Sequence, residues 1–219
     1  AFMRALSGVA EPQAQDKFAF YQAYDRLSQV VGLYYGETYF GPEAKKDVEN
    51  MVNEVINVYK ERLEKNTWLN KDTKAKAILK LNKISVQIGY PEELPQYFDK
   101  YEVGSYEEGS NLVLESIKWS RLLTQDNYSK YNKEPNRNLW QMPASMVNAY
   151  YSPTNNQIVF PAAILQEPYY SVNQSRSANY GGIGAVIAHE ISHAFDNNGA
   201  QFDEFGSLNN WWTEEDLKT

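Results

Sequence analysis

The amino-acid sequence contains no cysteine and only two histidines. Without cysteine the protein can have neither a disulfide framework nor a thiolate metal site, so any metal ligand must be a histidine or a carboxylate. The absence of cysteine also fits a reducing compartment. We therefore expect a bacterial cytoplasmic location rather than the extracellular domain of an animal protein.

Two further absences exclude classes of function. No hydrophobic run approaches the ~18 residues of a membrane span, and the first residues lack the pattern of a signal peptide. Acidic residues exceed basic ones, and the net charge is -7, whereas nucleic-acid-binding proteins usually carry a basic patch. The sequence therefore predicts neither a membrane segment nor a nucleic-acid partner, and it leaves the oligomeric state open.

The composition is that of an ordinary folded protein. Hydrophobic residues make up 42% of the 219 residues and charged residues 22%, which is enough to form a core. Aromatic residues reach 14%, a content that suits the half-buried walls of a binding cleft. The sequence begins at Ala1 rather than at methionine, so we expect an internal piece of a longer protein.

Apolar spacing predicts mostly helices in the first 131 residues. We expect amphipathic helices at 16–40 and 43–65, a third helix from an N-cap at 70–73 to Ile84, closed by the breakers at 89–91, and a fourth at 111–131. The irregular stretch 91–109 between the last two is a candidate boundary. We therefore divide the chain into a helical segment, 1–110, and a second segment, 111–219.

The second segment contains a change of pattern. Strand-like runs at 147–151 and 157–160 flank turn residues, which predicts a β-hairpin. An apolar helix is expected at 183–195, ended by 197–199 with Gly199 in the left-handed conformation. The predicted fold class is thus α+β, mainly α with a small antiparallel β element.

Both histidines lie in one motif, His189-Glu190-Ile191-Ser192-His193. Residues i and i+4 share one face of a helix, so both imidazoles can bind one zinc ion while Glu190 lies beside it as a general base. An accidental match is the alternative, but the strongly apolar helix around the motif is the setting that a buried zinc helix needs. Two other interpretations stay open: a non-catalytic peptide-binding fragment, or a helical interaction domain with a chance motif.

Two further positions have two interpretations each, and an acidic run has one. Asp196 is three residues after His193 and could accept its free ring N–H, or could be a solvated carboxylate at the helix end. Asn148 could lie on an edge strand that pairs with an extended peptide, or in a purely structural hairpin. The acidic run 214–216 follows Thr213, and its simplest function is to cap a helix N-terminus.

A longer set of residues resembles the neprilysin-like zinc endopeptidases, which include endothelin-converting enzymes and bacterial PepO-type oligopeptidases. The resemblance is carried by Val147-Asn148-Ala149-Tyr150-Tyr151, by the run from Asn156 to Gln166, by Asn179-Tyr180-Gly181-Gly182-Ile183-Gly184, by the segment from His189 to Gly199, by Trp211-Trp212, and upstream by Thr67-Trp68-Leu69, Thr73-Lys74 and Ile88-Gly89-Tyr90-Pro91. It extends over most of the chain. It implies part of a thermolysin-like catalytic region together with part of the helical domain of the family.

The resemblance also implies residue roles. His189 and His193 match zinc ligands, with one Zn²⁺ per complete enzyme, Glu190 matches the catalytic glutamate and Asp196 matches a carboxylate that holds the second histidine. Other positions match residues that bind the peptide: Asn148 and Ala149 with Tyr150 beside them for its backbone, and Ile164, Tyr169 and Val186 for the side chain after the cleaved bond.

The implied activity is cleavage of oligopeptides on the N-terminal side of hydrophobic residues. Tyr169-Tyr170 replaces the phenylalanines of many relatives, so we expect a hydroxyl at the pocket wall. The family takes its third zinc ligand from a Gly-Glu-Asn-Ile-Ala-Asp segment, which this sequence lacks. A catalytic zinc needs three protein ligands, so we expect these 219 residues alone to be inactive.

Overall fold

The computed structural model describes residues 5–6, 8–11 and 13–216. Helices and strands follow one another along the chain as α1 (Gln15–Tyr39), α2 (Gly41–Lys65), α3 (Lys71–Asn82), β1 (Ser85–Gly89), α4 (Leu112–Ser129), β2 (Tyr150–Ser152), β3 (Gln157–Pro161), α5 (Arg176–Gly181) and α6 (Ile183–Ser192). Short 3₁₀ turns occur at Phe98–Lys100, Pro153–Asn155 and Gly199–Gln201. The predicted α+β class is confirmed.

Local signals explain where the helices begin. Pro42 lies in the first turn of α2, where its missing N–H costs no hydrogen bond. The Asn70 side chain accepts hydrogen bonds from the N–H groups of Asp72 and Thr73 and so caps α3, and Asn111 caps α4 in the same manner. The helices predicted at 43–65 and 111–131 are confirmed within a few residues.

Helix α1 exists as predicted, but its apolar residues do not form a buried face. Within the described residues its buried positions are Gly32 and Gly36, while the larger apolar side chains Phe18, Phe20, Tyr21, Val30, Val31 and Tyr34 are exposed. A Cβ at Gly32 would lie 2.5 Å from the Ala144 nitrogen, and one at Gly36 would lie 2.5 Å from the Tyr90 ring. The helix therefore packs through glycines that allow close approach, a contact that hydrophobic periodicity does not report.

The sheet contains a strand that was not predicted, between the predicted helix end at Ile84 and the breakers at 89–91. Helix α3 ends at Asn82, and residues Ser85–Gly89 form β1, which pairs in parallel with β3. The predicted hairpin is confirmed as β2 and β3, which pair antiparallel. With strand order β1-β3-β2 the sheet is mixed rather than antiparallel, and β2 lies at its edge.

One hydrophobic core joins residues from both halves of the chain. Helix α2 contributes Val48, Met51, Val52 and Ile56, and it packs directly against α6. Buried side chains from other elements complete the core: Leu81, Ile88, Ile158, Phe160, Ile183, Ile187 and Ile191. The core therefore fixes α6 against α2 and the sheet. The predicted division at residue 110 stays a prediction.

Candidate metal centre

Helix α6 carries the histidine motif, and its sequence explains its position. Ile183, Ile187 and Ile191 recur at four-residue intervals and are completely buried, so one face of the helix is anchored in the core. The Tyr59 hydroxyl on α2 donates a 2.8 Å hydrogen bond to the Ala188 carbonyl, one residue before the motif. The position of the motif helix is thus fixed by apolar packing and by a polar contact.

The two imidazoles converge as the four-residue spacing predicts. Their Nε2 atoms are 3.1 Å apart, and the Nδ1 atom of His193 lies 2.7 Å from a carboxylate oxygen of Asp196. This contact favours a proton on Nδ1, which leaves Nε2 of His193 with a free lone pair. Two nitrogens bound to one tetrahedral zinc at about 2.0–2.1 Å would be roughly 3.3 Å apart. The pair therefore fits a zinc ion.

Asp196 is held in a tight turn after the helix. Its second carboxylate oxygen accepts the N–H groups of Asn198 and Gly199 at 2.9 and 2.8 Å. Burial opposes ionisation, but the bonds from Gly199, His193 and Asn198 keep the pKa of Asp196 below its ordinary value. Of its two readings, the structure therefore favours the histidine partner over a free solvated carboxylate.

Gly199 occupies the predicted stop, but for a different reason from the one predicted. Its φ is not in the left-handed region, in contrast to Gly206. A Cβ at Gly199 would lie only 1.9 Å from the His193 carbonyl oxygen. The glycine is required because the chain folds back closely against the end of the motif.

Glu190 points inward from the same helix. Its residue is only 7% exposed, and burial raises the pKa of its carboxyl above the ordinary value, although the two imidazoles and the Tyr151 N–H act in the opposite direction. A carboxylate with a raised pKa is a better proton acceptor. The electrostatic influence of both histidines on this carboxyl fits a base next to a shared metal position.

The peptide-binding prediction concerned the segment just before β2. Asn148 is exposed and precedes β2, and its side chain accepts the Ala149 N–H at 2.9 Å. Ala149 is buried, and the half-buried Tyr150 uses its hydroxyl to accept the Gln141 N–H at 2.9 Å. Asn148 thus lies two residues before edge strand β2 rather than on it, as the predicted strand at 147–151 had placed it, and Tyr150 makes a structural hydrogen bond. Its predicted role in binding a peptide stays a prediction.

Two of the three predicted pocket residues are tied to α6, since Val186 lies on it and Tyr169 bonds to its first residue. Ile164 belongs to the hydrophobic core, and Val186 packs against that core. The Tyr169 carbonyl accepts the N–H of Ile183, the first residue of α6. Tyr169 is 43% exposed, whereas Tyr170 is 2% exposed. Tyr170 donates its hydroxyl to Asp47, so the hydroxyl of Tyr170 is already paired within the fold.

Three residues that support the motif were not predicted. Tyr59 bonds to α6, the Tyr151 N–H acts on Glu190, and Lys80 donates to main-chain carbonyls after the motif. Lys80 carried a signal: it is a charged residue among the apolar positions of α3, between Ala77 and Leu81. The other two use groups that an apolar pattern does not distinguish.

The capping prediction near the end of the chain holds in part. Thr213 accepts the Asp216 N–H, and Asp216 is buried and accepts hydrogen bonds from Asn70. The helix expected to follow lies outside the described residues. The described residues, those of the motif included, hold no group of three or more potential metal-binding side chains. Within residues 5–6, 8–11 and 13–216, no helix has both the length and the apolar character needed to cross a membrane.

Two converging imidazoles and a buried glutamate on one helix match the arrangement of the HExxH zinc motif. Comparison with known proteins specifies the group. Two models of peptidase family M13 match the chain, one over residues 1–91 and the other over residues 148–219. The chain belongs to peptidase family M13, and its resemblance to neprilysin-like endopeptidases is confirmed.

Individual relatives are similar over the full chain. A Streptococcus gordonii protein whose name describes a zinc metalloproteinase is 54% identical over 218 residues, which are 100% of this chain and 38% of the relative. A neutral endopeptidase of Lactococcus lactis is 51% identical, over 100% of this chain and 34% of the relative. The solved structure of PEPO from Lactobacillus rhamnosis superposes with a TM-score of 0.87 at 44% identity, covering 99% of this chain and 34% of that one. The chain thus spans just over a third of the length of these relatives.

Proposed function

We propose that these residues form part of the catalytic centre of a zinc metalloendopeptidase, with His189 and His193 as metal ligands and Glu190 as the base. The observation that carries the proposal is the 3.1 Å separation of the two Nε2 atoms, with His193 held by Asp196 at 2.7 Å. The zinc metalloproteinase and neutral endopeptidase names of the relatives support the same function.

The chain's own groups have distinct tasks in this reaction. A zinc ion at the site would supply a Lewis acid that polarises the scissile carbonyl and acidifies a water molecule. Glu190 accepts the proton of the attacking water and delivers it to the leaving amine. Asp196 keeps the proton of His193 on Nδ1, so that Nε2 stays available as a ligand. The core face of α6 keeps these groups in register.

Oligopeptides are the proposed substrates. The side of edge strand β2 that faces away from β3 offers main-chain groups to an extended peptide, and Asn148 lies exposed two residues before the strand. Ile164 and Val186 supply apolar surface for a hydrophobic residue after the cleaved bond, and the exposed Tyr169 adds a hydroxyl.

The absence of cysteine supports a bacterial cytoplasmic location.

The 219 residues alone should lack turnover. The chain contains two histidines, its described residues contain no three-member cluster of metal-binding side chains, and a catalytic zinc takes three protein ligands. We therefore expect a weak zinc site and no peptidase activity until a further ligand is supplied. A full-length enzyme should have both a tight zinc site and peptidase activity.

Zinc titration of the purified chain tests the metal site. Zinc should raise the free energy of unfolding, by about 2.7 kcal/mol at a hundredfold excess over Kd, and His189→Ala should abolish the effect. Ser192→Ala is the control, because Ser192 is exposed on the same helix between the ligands. A protein that binds peptides without catalysis, or an interaction domain, would show no response that depends on His189.

A peptide-cleavage assay tests the chemistry. A quenched-fluorescence peptide with a hydrophobic residue after the scissile bond should remain intact with the 219-residue chain and added zinc. In the longer enzyme of which these residues form part, Glu190→Gln should abolish turnover while zinc binding is retained. Rapid zinc-dependent cleavage by the short chain that disappears with Glu190→Gln would refute the need for a further ligand.

A further inference from the structure

Lys80 is a buried cation that the proposed chemistry does not use. The residue lies on α3 and is 1% exposed. Its ammonium group donates to the carbonyls of Ala194, Gly199 and Phe202 at 2.8, 2.5 and 2.7 Å. All three donor positions of the ammonium are thereby occupied. None of the three acceptors is a side chain, so the lysine acts on the course of the main chain.

Those three carbonyls belong to the turn that follows the second histidine. Ala194 is the next residue after His193, and Gly199 donates its N–H to Asp196 at 2.8 Å while its carbonyl accepts from Lys80. Asp196 in turn contacts Nδ1 of His193 at 2.7 Å. A continuous chain of short contacts therefore leads from the Lys80 ammonium through Gly199 and Asp196 to a metal-binding imidazole.

The surroundings of Lys80 favour a retained positive charge. The rings of Tyr151 and Trp211 each lie 5.8 Å from its nitrogen, a distance suited to cation–π attraction. Burial lowers the pKa of Lys80 to about 8, while Asp203 and nearby carboxylates act in the opposite direction. The three carbonyl acceptors around the nitrogen match the three N–H donors of a protonated ammonium group. Ala194 lies two residues beyond the last residue of α6, where the helix dipole also favours a cation.

We propose that Lys80 is a positioning residue for the metal centre: its ammonium group fixes the turn from Ala194 to Phe202 and thereby keeps Asp196 against His193. The inference rests on the proposed zinc function, but the geometry of the turn can be measured without metal. Loss of a partner one step from a metal ligand typically weakens metal binding 10–100-fold. Lys80 acts through Asp196, so its loss should cost up to about tenfold.

Lys80→Met removes the ammonium and keeps an unbranched side chain of similar length. Lys71→Met is the matched control, because Lys71 lies exposed on the same helix. In the metal-free 219-residue chain, Lys80→Met should accelerate hydrogen exchange of the Asn198 and Gly199 amides, which donate to Asp196, without equal acceleration in the α2 core. Zinc affinity should fall in parallel, and Lys71→Met should change neither quantity.

A double-mutant cycle separates positioning from general stability. If Lys80 acts through Asp196, then Lys80→Met introduced into an Asp196→Ala background should weaken zinc binding less than about twofold. The full loss persisting in that background would overturn the proposal, as would lower stability of Lys80→Met with unchanged zinc affinity.

Lys80→Arg provides a second test, needed above all if Lys80→Met does not fold. Arginine keeps the charge but presents its donors in a planar fork. In this variant the hydrogen exchange of the Gly199 amide and the zinc affinity should still change together. A change in one of these quantities without the other contradicts the proposal. If the unmodified chain binds no zinc, the zinc function fails, whereas amide exchange in the metal-free variants still reports whether Lys80 holds the turn.

Discussion

The packing of the motif helix gives a quantitative prediction for Ile187→Ala. Ile187 is fully buried in the core where α6 meets α2. The substitution removes about three methylene equivalents at ~0.8 kcal/mol each, or roughly 2.4 kcal/mol of transfer free energy. The remaining cavity adds to this, so we expect a loss of about 3–4 kcal/mol in the free energy of unfolding. That loss is a large fraction of the total stability of a typical domain.

Ile117→Ala is the matched control, because Ile117 lies within α4 and is 51% exposed. Both substitutions replace isoleucine by alanine inside a helix, so the change in helix propensity is the same at both sites. Half of the Ile117 side chain is already in contact with water, and we expect a cost of no more than about 1 kcal/mol. The difference between the variants therefore measures burial alone.

Urea unfolding followed by circular dichroism and tryptophan fluorescence provides the assay. The two probes should give coincident transitions with similar m-values, so that midpoints translate into free energies. Ile187→Ala should unfold at a clearly lower urea concentration than Ile117→Ala. A difference below about 1 kcal/mol would refute the placement of Ile187 in a tightly packed interface.

Three other predictions use pairs or single sites elsewhere in the fold. Gly199→Ala should lower the free energy of unfolding by roughly 1–3 kcal/mol and abolish zinc-dependent stabilisation, because there is no space for a Cβ at this position. Gly181→Ala is the control and should leave both quantities nearly unchanged in urea and zinc titrations. Asn70→Ala should cost about 2–3 kcal/mol in urea unfolding and Asn111→Ala about 1 kcal/mol, since both cap helices but only the former also bonds to a buried carboxylate. Hydrogen bonds from Lys118 and Ser110 lower the pKa of Glu115 to about 2 from 4.5. The contribution of this carboxylate to stability is therefore complete above pH 4.5 and is lost as the pH falls towards 2. In Glu115→Gln the thermal unfolding midpoint should therefore depend less on pH between pH 2 and pH 4.5. An unchanged pH dependence in this interval would contradict the lowered pKa of Glu115.

Sequence patterns predicted the elements that carry their own local signals. The Asn70 and Asn111 caps mark helix starts, and the apolar spacing around Val48 and Ile56 predicted the buried face of α2. The four-residue spacing of the motif also predicted that two imidazoles converge, since helix geometry alone brings them together. These features depend on residues within a few positions of one another.

Strand β1 was missed because its stability comes from a distant partner. Residues Ser85–Gly89 follow a helix directly and are too short to show a clear alternation, and they become a strand by pairing with β3, about seventy positions later. Helix α1 shows the opposite error: its periodicity was real, but within the described chain its large apolar side chains are exposed or only half-buried. A hydrophobic pattern reports that a helix has an apolar face and does not report which surface covers that face.

The supports of the candidate metal centre show why its surroundings could not be predicted from sequence. Tyr59 bonds to the carbonyl of Ala188, and Lys80 bonds to three carbonyls after the motif. Asp196 accepts two main-chain N–H groups, and Glu190 is influenced by another. Each contact therefore has a main-chain group on one side, and any residue type supplies such a group. The motif identifies the metal-binding side chains, whereas the chain path that orients them is set by backbone contacts that leave a sequence signal on one partner only.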